Sequence, residues 1–375
     1  MSMRLRRLAA SIKAGSEFGM IVNVQVLRFV AAVLVVWVHA QDMIASNVVP
    51  NWASQLGYSG VDLFFVISGL IMVRTAQTKH VGPVEFLRRR VRRIVPLYYV
   101  FTLVTFAIAL MAPSLLKSTV PDLGQLAASL AFIPFEKSPD RIYPVYFLGW
   151  TLNFEMFFYC AFAASLLLPK RARVPVLVAL LAALALAGTA ISRVTDFGVV
   201  AFIYTRPIVL DFAAGMLIAA AMPRARPSSR PTVWWISLAA GIVWLAIGTS
   251  IFPIGTGPAV PITDTFLSFG LASTLIVAGA VGLERSGAVI ASEAARRGGD
   301  ASYSIYLTHF YVIGIAITIC NRLALGDGVR LALLPIAIAA AVLAGVAVYK
   351  FVERPLTGDV SAFRRLGGLL RPAAA

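Results

Sequence analysis

Charged side chains are scarce in this sequence. Asp, Glu, Lys and Arg make up 13% of its 375 residues, about half the share found in an ordinary soluble domain. Apolar residues supply 59%, more than a soluble core requires. The two figures exclude a water-soluble globular chain and point to a polytopic membrane protein. Cysteine is nearly absent, and Cys160 and Cys320 both fall inside apolar runs. A disulfide framework and a thiolate metal site are thereby excluded, which leaves packing as their role. Histidine is limited to His39, His80 and His309, scattered without carboxylate spacing, so no metal is expected. Acidic residues are outnumbered by basic ones, 17 to 33, for a formal charge of +16. In a soluble chain that excess suggests nucleic acid. Here the basic residues sit in short connections between apolar runs, so no nucleic-acid partner is expected and the charge reads as membrane orientation.

What the sequence does hold is long apolar runs. Windows of about 20 residues predict spans near 22–40, 57–73, 94–112, 146–168, 174–191, 199–221, 233–251, 263–283, 301–320 and 331–349. The expected fold class is therefore all-α, a transmembrane helix bundle of about ten spans. The basic start "MSMRLRRLAASIKAG" resembles a signal-peptide flank, but the span after it is full length, so an uncleaved first helix is expected. The organisation reads as a basic segment 1–21, a transmembrane domain 22–356 and a tail 357–375, with no soluble domain appended. Segment 114–134 carries prolines and Asp122. It reads as a loop, a re-entrant piece or an interfacial helix.

Lys and Arg alternate between connections. One set holds Arg4, Arg6, Arg7 and Lys13, then Arg74, Lys79, Arg88, Arg89, Arg90, Arg92 and Arg93, and continues through Lys170, Arg224, Arg285 and Lys350 to Arg371. The other holds Lys117, Lys137, Arg141, Arg193, Arg322 and Arg330. By the positive-inside rule the richer set, roughly four-fifths of the total, is cytoplasmic, and both termini with it. His80 falls in one of these cytoplasmic loops and carries no signal.

In the first span, "LRFVAAVLVVWVHA" places Arg28 in the inner half and His39 near the outer end. They stand about 16 Å apart along the axis and within about 20° of one face, so they are expected to line one polar groove. The competing reading is a structural Arg paired with a carboxylate and a packed interfacial His. The second span starts "GYSGVDLFFVISGLIM". Asp62 lies at the level of His39, where it either holds one imidazole nitrogen or acts as a structural cap or counter-ion. Gly57, Gly60 and Gly69 permit close helix approach. "FLRRRVRRIVPLYY" puts Arg90 and Arg93 on one helix face at i, i+3, suited to bidentate phosphate binding or to topology and anionic lipid headgroups.

Arg28 and His39, followed by "GVDLFFVISGL", "RRRVRRIVPLYY", "WTLNFEMFFY", "RPIVLDFAAGML", "SYSIYLTHFYV" and "VERPL", make the chain similar to the acyltransferase-3 family of integral membrane O-acyltransferases. The resemblance runs from about residue 22 to 356. It is closest to the single-domain branch that modifies exopolysaccharide, lipopolysaccharide or nodulation oligosaccharides. It implies a multi-pass protein of the bacterial inner membrane that moves an acyl group, usually acetyl, from cytoplasmic acyl-CoA to a sugar hydroxyl. The acceptor is a carbohydrate or a lipid-linked sugar. The family's first-span pair falls on Arg28 and His39, its cytoplasmic arginine pair on Arg90 and Arg93, and its span-four acid on Glu155. Later polar positions fall on Arg206, His309, Glu353 and Arg354, and the aromatic usual before the last-motif histidine is replaced by Thr308.

The implied reaction uses His39 as general base or as a transient acyl carrier, and the residues do not choose between these routes. Glu155 either orients His39, binds the sugar, or neutralises Arg28 or Arg206. Arg206 and Asp211, five apart, do not share a face, so each is expected to pair across helices. His309 reads as a groove contact or as a His bonded locally. Glu353 and Arg354 read as structural, next to a helix-ending proline. A transporter or flippase for a polysaccharide precursor is the rival class, but no paired interrupted helices are evident in the two halves.

Overall fold

The computed structural model describes residues 21–44, 48–78, 81–116, 119–137, 141–191, 198–221, 231–252 and 265–358. The expected basic segment, most of the expected tail and His80 lie outside them. Every regular element is helical: α1 Val22–Ala40, α2 Asn51–Gln55, α3 Ser59–Thr78, α4 Pro83–Met111, α5 Leu123–Leu130, α6 Gly149–Ser165 and α7 Lys170–Ile191, followed by α8 Val199–Tyr204, α9 Val209–Ala221, α10 Thr232–Ile251, α11 Leu271–Arg285, α12 Glu293–Asp300, α13 Ser302–Arg322 and α14 Asp327–Val348. Among the described residues nine helices are long and apolar enough to cross a membrane. The protein is a multi-pass membrane bundle. The remaining apolar segment, predicted over 146–168, forms α6, a helix of 17 residues and about 25 Å.

One boundary differs from the sequence expectation and two segments show internal structure, each for a local reason. α4 starts at Pro83, not near 94, because the arginine cluster continues the helix. Pro83 sits at its first turn, where a missing N–H costs nothing, and Glu85 pairs with Arg88 at 2.7 Å and Arg89 at 2.6 Å. The span predicted over 199–221 is broken into α8 and α9 at Arg206 and Pro207, since proline cannot supply the helical N–H. Segment 114–134 contains α5, eight residues long. Its N-terminus is capped by Asp122, whose Oδ1 accepts from Gln125 N at 2.6 Å. The Tyr98 and Tyr99 hydroxyls donate to the carbonyls of Ser129 and Leu130 at 3.1 and 2.8 Å, fixing this helix against α4.

α1 is central and tied at both ends. At its start, the backbone N–H groups of Val22 and Asn23 donate to the two Glu284 carboxylate oxygens at 2.9 and 2.7 Å, satisfying donors that a helix N-terminus leaves bare. The Asn23 side chain also donates to the Ala280 and Ala288 carbonyls and accepts from Ile290 N. At its end, Trp37 Nε1 donates to Ala53 O at 2.8 Å and Gln41 Nε2 to Ser54 O at 3.0 Å. Glycine sets the spacing to the neighbours. Gly60 rests on the Ala31 carbonyl of α1, and further along α3 Gly69 meets the Phe212 carbonyl while Gly215 of α9 meets that of Val66. At both α3–α9 contacts a Cβ would overlap backbone, so these small residues let the helices close completely.

Candidate active site

Arg28 is buried on α1, and its Nη1 donates to Gln25 Oε1 at 3.0 Å. Gln25 Nε2 in turn donates to Asp300 Oδ1 at 3.2 Å. α12 approaches closely enough for this because Gly299 lies on the Gln25 backbone and Gly298 on the Phe29 ring. The amide thus links Arg28 to a carboxylate without direct ion pairing. Burial raises the Asp300 carboxyl above the ordinary aspartate range, against the opposing pull of Arg296 and Arg28.

Arg28, Arg90 and Arg93 line one cavity of about 110 Å³ with Ser68, Glu155 and Tyr159. The arginine cluster divides by helix face: Arg88 and Arg89 turn to Glu85, whereas Arg90 and Arg93 face the cavity. The Arg90 guanidinium is held 5.3 Å from the Phe86 ring and 5.7 Å from the Tyr159 ring, and its Nη2 donates to Thr75 Oγ1 at 3.4 Å. The remaining N–H donors suit an anion. Glu155 Oε1 accepts from the Ser68 hydroxyl at 2.5 Å.

His39 lines a second cavity of about 210 Å³ with Asp42, Tyr58, Tyr143, Phe147 and Trp150. The Phe147 and Phe310 rings meet the imidazole edge-on, with centroids 6.0 and 5.7 Å away. His39 Nδ1 lies 3.0 Å from the Val35 carbonyl and 3.2 Å from His309 Nε2, and His309 Nδ1 lies 3.2 Å from the Ile305 carbonyl. Carbonyls only accept, so each Nδ1 carries the hydrogen. His309 Nε2 is then an acceptor for His39 Nδ1–H. His39 Nε2 keeps its lone pair, the form a base or nucleophile requires.

Arg28 and His39 line different cavities rather than one continuous groove wall. They line two abutting cavities whose common wall is Val61 and Tyr306. Tyr306 is held in that wall by its hydroxyl, which donates to Leu148 O at 3.1 Å and lies 2.7 Å from Thr151 Oγ1. α6 passes along both cavities, presenting Trp150 to the histidine side and Glu155 and Tyr159 to the arginine side.

The other expected site residues lie elsewhere. Asp62 Oδ1 accepts from the Thr265 hydroxyl at 2.7 Å, and Asp62 is not in the lining of the His39 cavity, so it does not orient His39. The cause is helical phase: Gly60 faces α1, and two residues later the side chain has turned about 200° away. The expected cross-helix pairing is seen for Arg206, while both Asp211 carboxyl oxygens are buried without a hydrogen-bond partner among the described residues. The Arg206 Nη2 donates to Gly188 O and its Nε to Phe202 O, both at 3.1 Å, over the Phe202 ring. Arg206 lines neither cavity and instead satisfies carbonyls where its own helix breaks. Glu155 reaches Ser68 and the arginine cavity, not His39 or Arg206. Glu353 Oε2 accepts from Ser304 Oγ at 2.6 Å, a helix-to-helix tie.

Sequence reasoning passed over Gln25, Asp42, Glu284, Asp300 and Tyr306. Three of these had a readable signal in their spacing: Gln25 precedes Arg28 by one turn, Asp42 follows His39 by one turn, and Tyr306 precedes His309 by one turn.

Comparison with known proteins adds an independent line. A family model described as an acyltransferase domain matches residues 21–350. The chain is 39% identical over 326 residues to the exopolysaccharide production protein ExoZ of Rhizobium meliloti (strain 1021), covering 85% of this chain and 95% of that protein. No solved structure gives a significant match.

Proposed function

The chain belongs to the acyltransferase-3 family, and from that premise we propose that it is an acyl-CoA-dependent O-acyltransferase that modifies exopolysaccharide, with acetyl the transferred group. The reading is supported above all by one observation: an arginine-lined cavity and a histidine-lined cavity share Val61 and Tyr306 in their linings. The exopolysaccharide acceptor is supported by the similarity to an exopolysaccharide production protein.

In this mechanism the phosphates of the donor bind Arg90 and Arg93, where paired guanidiniums compensate their charge. The thioester arm passes Arg28 and reaches the wall. Displacing the Tyr306 ring brings the acyl carbon to His39. The acceptor hydroxyl gives its proton to His39 Nε2 as its oxygen bonds the acyl carbon. The carbon–sulfur bond breaks, and the thiolate takes the proton from the imidazolium. His309 acts by positioning: its Nε2 holds the His39 Nδ1 hydrogen and spreads the charge that His39 acquires. Glu155 and Ser68 belong to the donor side. The donor enters from the cytoplasm, the side the basic residues favour.

Membranes containing wild-type protein or His39→Ala, supplied with radiolabelled acetyl-CoA and chemically deacetylated exopolysaccharide, test this reading. Label is expected in the glycan with the wild type and not with a well-inserted His39→Ala. Normal transfer by His39→Ala removes His39 from the chemistry, and no transfer by the wild type removes the activity itself.

A further inference from the structure

The two cavities differ in charge as well as position. Three arginines line the first, whereas among the described residues no Lys or Arg lines the second. Its one carboxylate, Asp42, sits in the turn Gln41–Met43 that continues α1, one helical turn beyond His39. Asp42 is exposed, so this cavity opens at the end of the helix opposite to Arg28. The rest of the lining is largely aromatic: Tyr58, Tyr143, Phe147 and Trp150.

This composition discriminates among occupants. A phosphate-bearing donor would meet an acceptor-only carboxylate and no cation. A lipid tail would leave Asp42 and the tyrosine hydroxyls unpaired, which is costly. A polyhydroxylated ring satisfies both parts of the lining, since its hydroxyls donate to a carboxylate and its C–H surface packs on aromatic rings. Size agrees. A single buried water needs about 10–15 Å³, so 210 Å³ holds on the order of a dozen heavy atoms, as in one monosaccharide. Burial pushes the Tyr143 phenol up to about 12, so its hydroxyl keeps its proton and remains a donor throughout the physiological range.

We propose that the histidine-lined cavity is the acceptor subsite for one sugar ring. Asp42 accepts from a hydroxyl neighbouring the one that reacts at His39, Tyr143 bonds a second hydroxyl, and Phe147 and Trp150 pack on the ring. The assignment rests on the acyl-transfer reading above and adds to it the groups that select the acceptor and its reacting position.

The test measures initial rates of label transfer from acetyl-CoA to deacetylated exopolysaccharide in membranes carrying wild type, Asp42→Ala, Asp42→Asn or Tyr143→Phe, with insertion checked by size-exclusion profile in detergent. The KM for the glycan is expected to rise about tenfold or more in Asp42→Ala, and less in Tyr143→Phe, while the KM for acetyl-CoA stays where it was. An unchanged glycan KM in both Asp42→Ala and Tyr143→Phe overturns the subsite and leaves acyl transfer standing. A fall in kcat alone with a displaced pH profile makes Asp42 a partner of His39 and also overturns it. Absence of wild-type transfer to any glycan concentration overturns the acyl-transfer reading and the subsite together.

Discussion

His309 Nε2 lies 3.2 Å from His39 Nδ1, while each imidazole uses its own Nδ1 against the carbonyl one turn earlier, Ile305 for His309 and Val35 for His39. A chain of defined donors results, which leaves the lone pair on the Nε2 of His39, a residue lining the cavity of Asp42 and Tyr143. The Val35 carbonyl fixes the tautomer of His39, and His309 Nε2 is a second acceptor for the same hydrogen.

Removing that acceptor is expected to damage turnover more than binding. His309→Ala lowers kcat by about 10²-fold with donor and glycan KM little changed, while His309→Gln, whose carbonyl oxygen can accept the same hydrogen, retains more. Steady-state label transfer separates the two variants.

Close approach of α3 and α9 predicts a stability effect far from the chemistry. In Gly215→Ala the new Cβ overlaps the Val66 carbonyl, a backbone group that cannot rotate away. A loss of about 1–3 kcal/mol is expected, read as a lower unfolding temperature in detergent. Gly314→Ala, where the added Cβ meets nothing beyond its own helix within 4 Å, does not lower that temperature and is expected to raise it slightly.

Arg206 and Arg90 separate in a donor titration. Arg90→Lys loses the planar fork and raises the acetyl-CoA KM by about tenfold. Arg206→Ala uncovers the Gly188 and Phe202 carbonyls, lowering the yield of folded protein, and leaves the donor KM of the folded fraction as it was.

Asp300 predicts a pH dependence with a definite sign. Its carboxyl is raised in the folded protein, so over the range from the ordinary aspartate value near about 3.9 up to the raised one the folded chain holds more proton than the unfolded chain. Where that holds, stability falls as pH rises. Thermal unfolding as a function of pH should show wild type losing stability relative to Asp300→Asn upward from about pH 4.

Most of the fold was readable because lipid enforces it. Long apolar runs leave a backbone no alternative to helix, and nearly every predicted window contains one. Proline explains the break inside the span over 199–221, whose bounds were read correctly: a hydropathy window averages over a residue that breaks the hydrogen-bond ladder. The site was readable by residue but less well by partnership. Arg28, His39, Arg90 and Arg93 stand out as ionisable groups at helical spacing, and they do line cavities. Asp62 was matched to His39 by depth alone, whereas rotation about the helix axis sends it to Thr265. Depth is set by counting along a span, but the partner is set by how neighbouring helices rotate and pack. For the same reason the Val61–Tyr306 wall and the Glu284 cap were invisible: each joins positions far apart in the chain.

The central claim is that donor and acceptor reach His39 from opposite sides of the Val61–Tyr306 wall. Sealed proteoliposomes of one orientation, with radiolabelled acetyl-CoA restricted to the side of Arg90 and Arg93 and deacetylated exopolysaccharide restricted to the side of Asp42, measure it directly. Labelled glycan is expected in the acceptor compartment with wild type and none with His39→Ala. Transfer that occurs only when both substrates share one compartment, or that survives in His39→Ala, would contradict it.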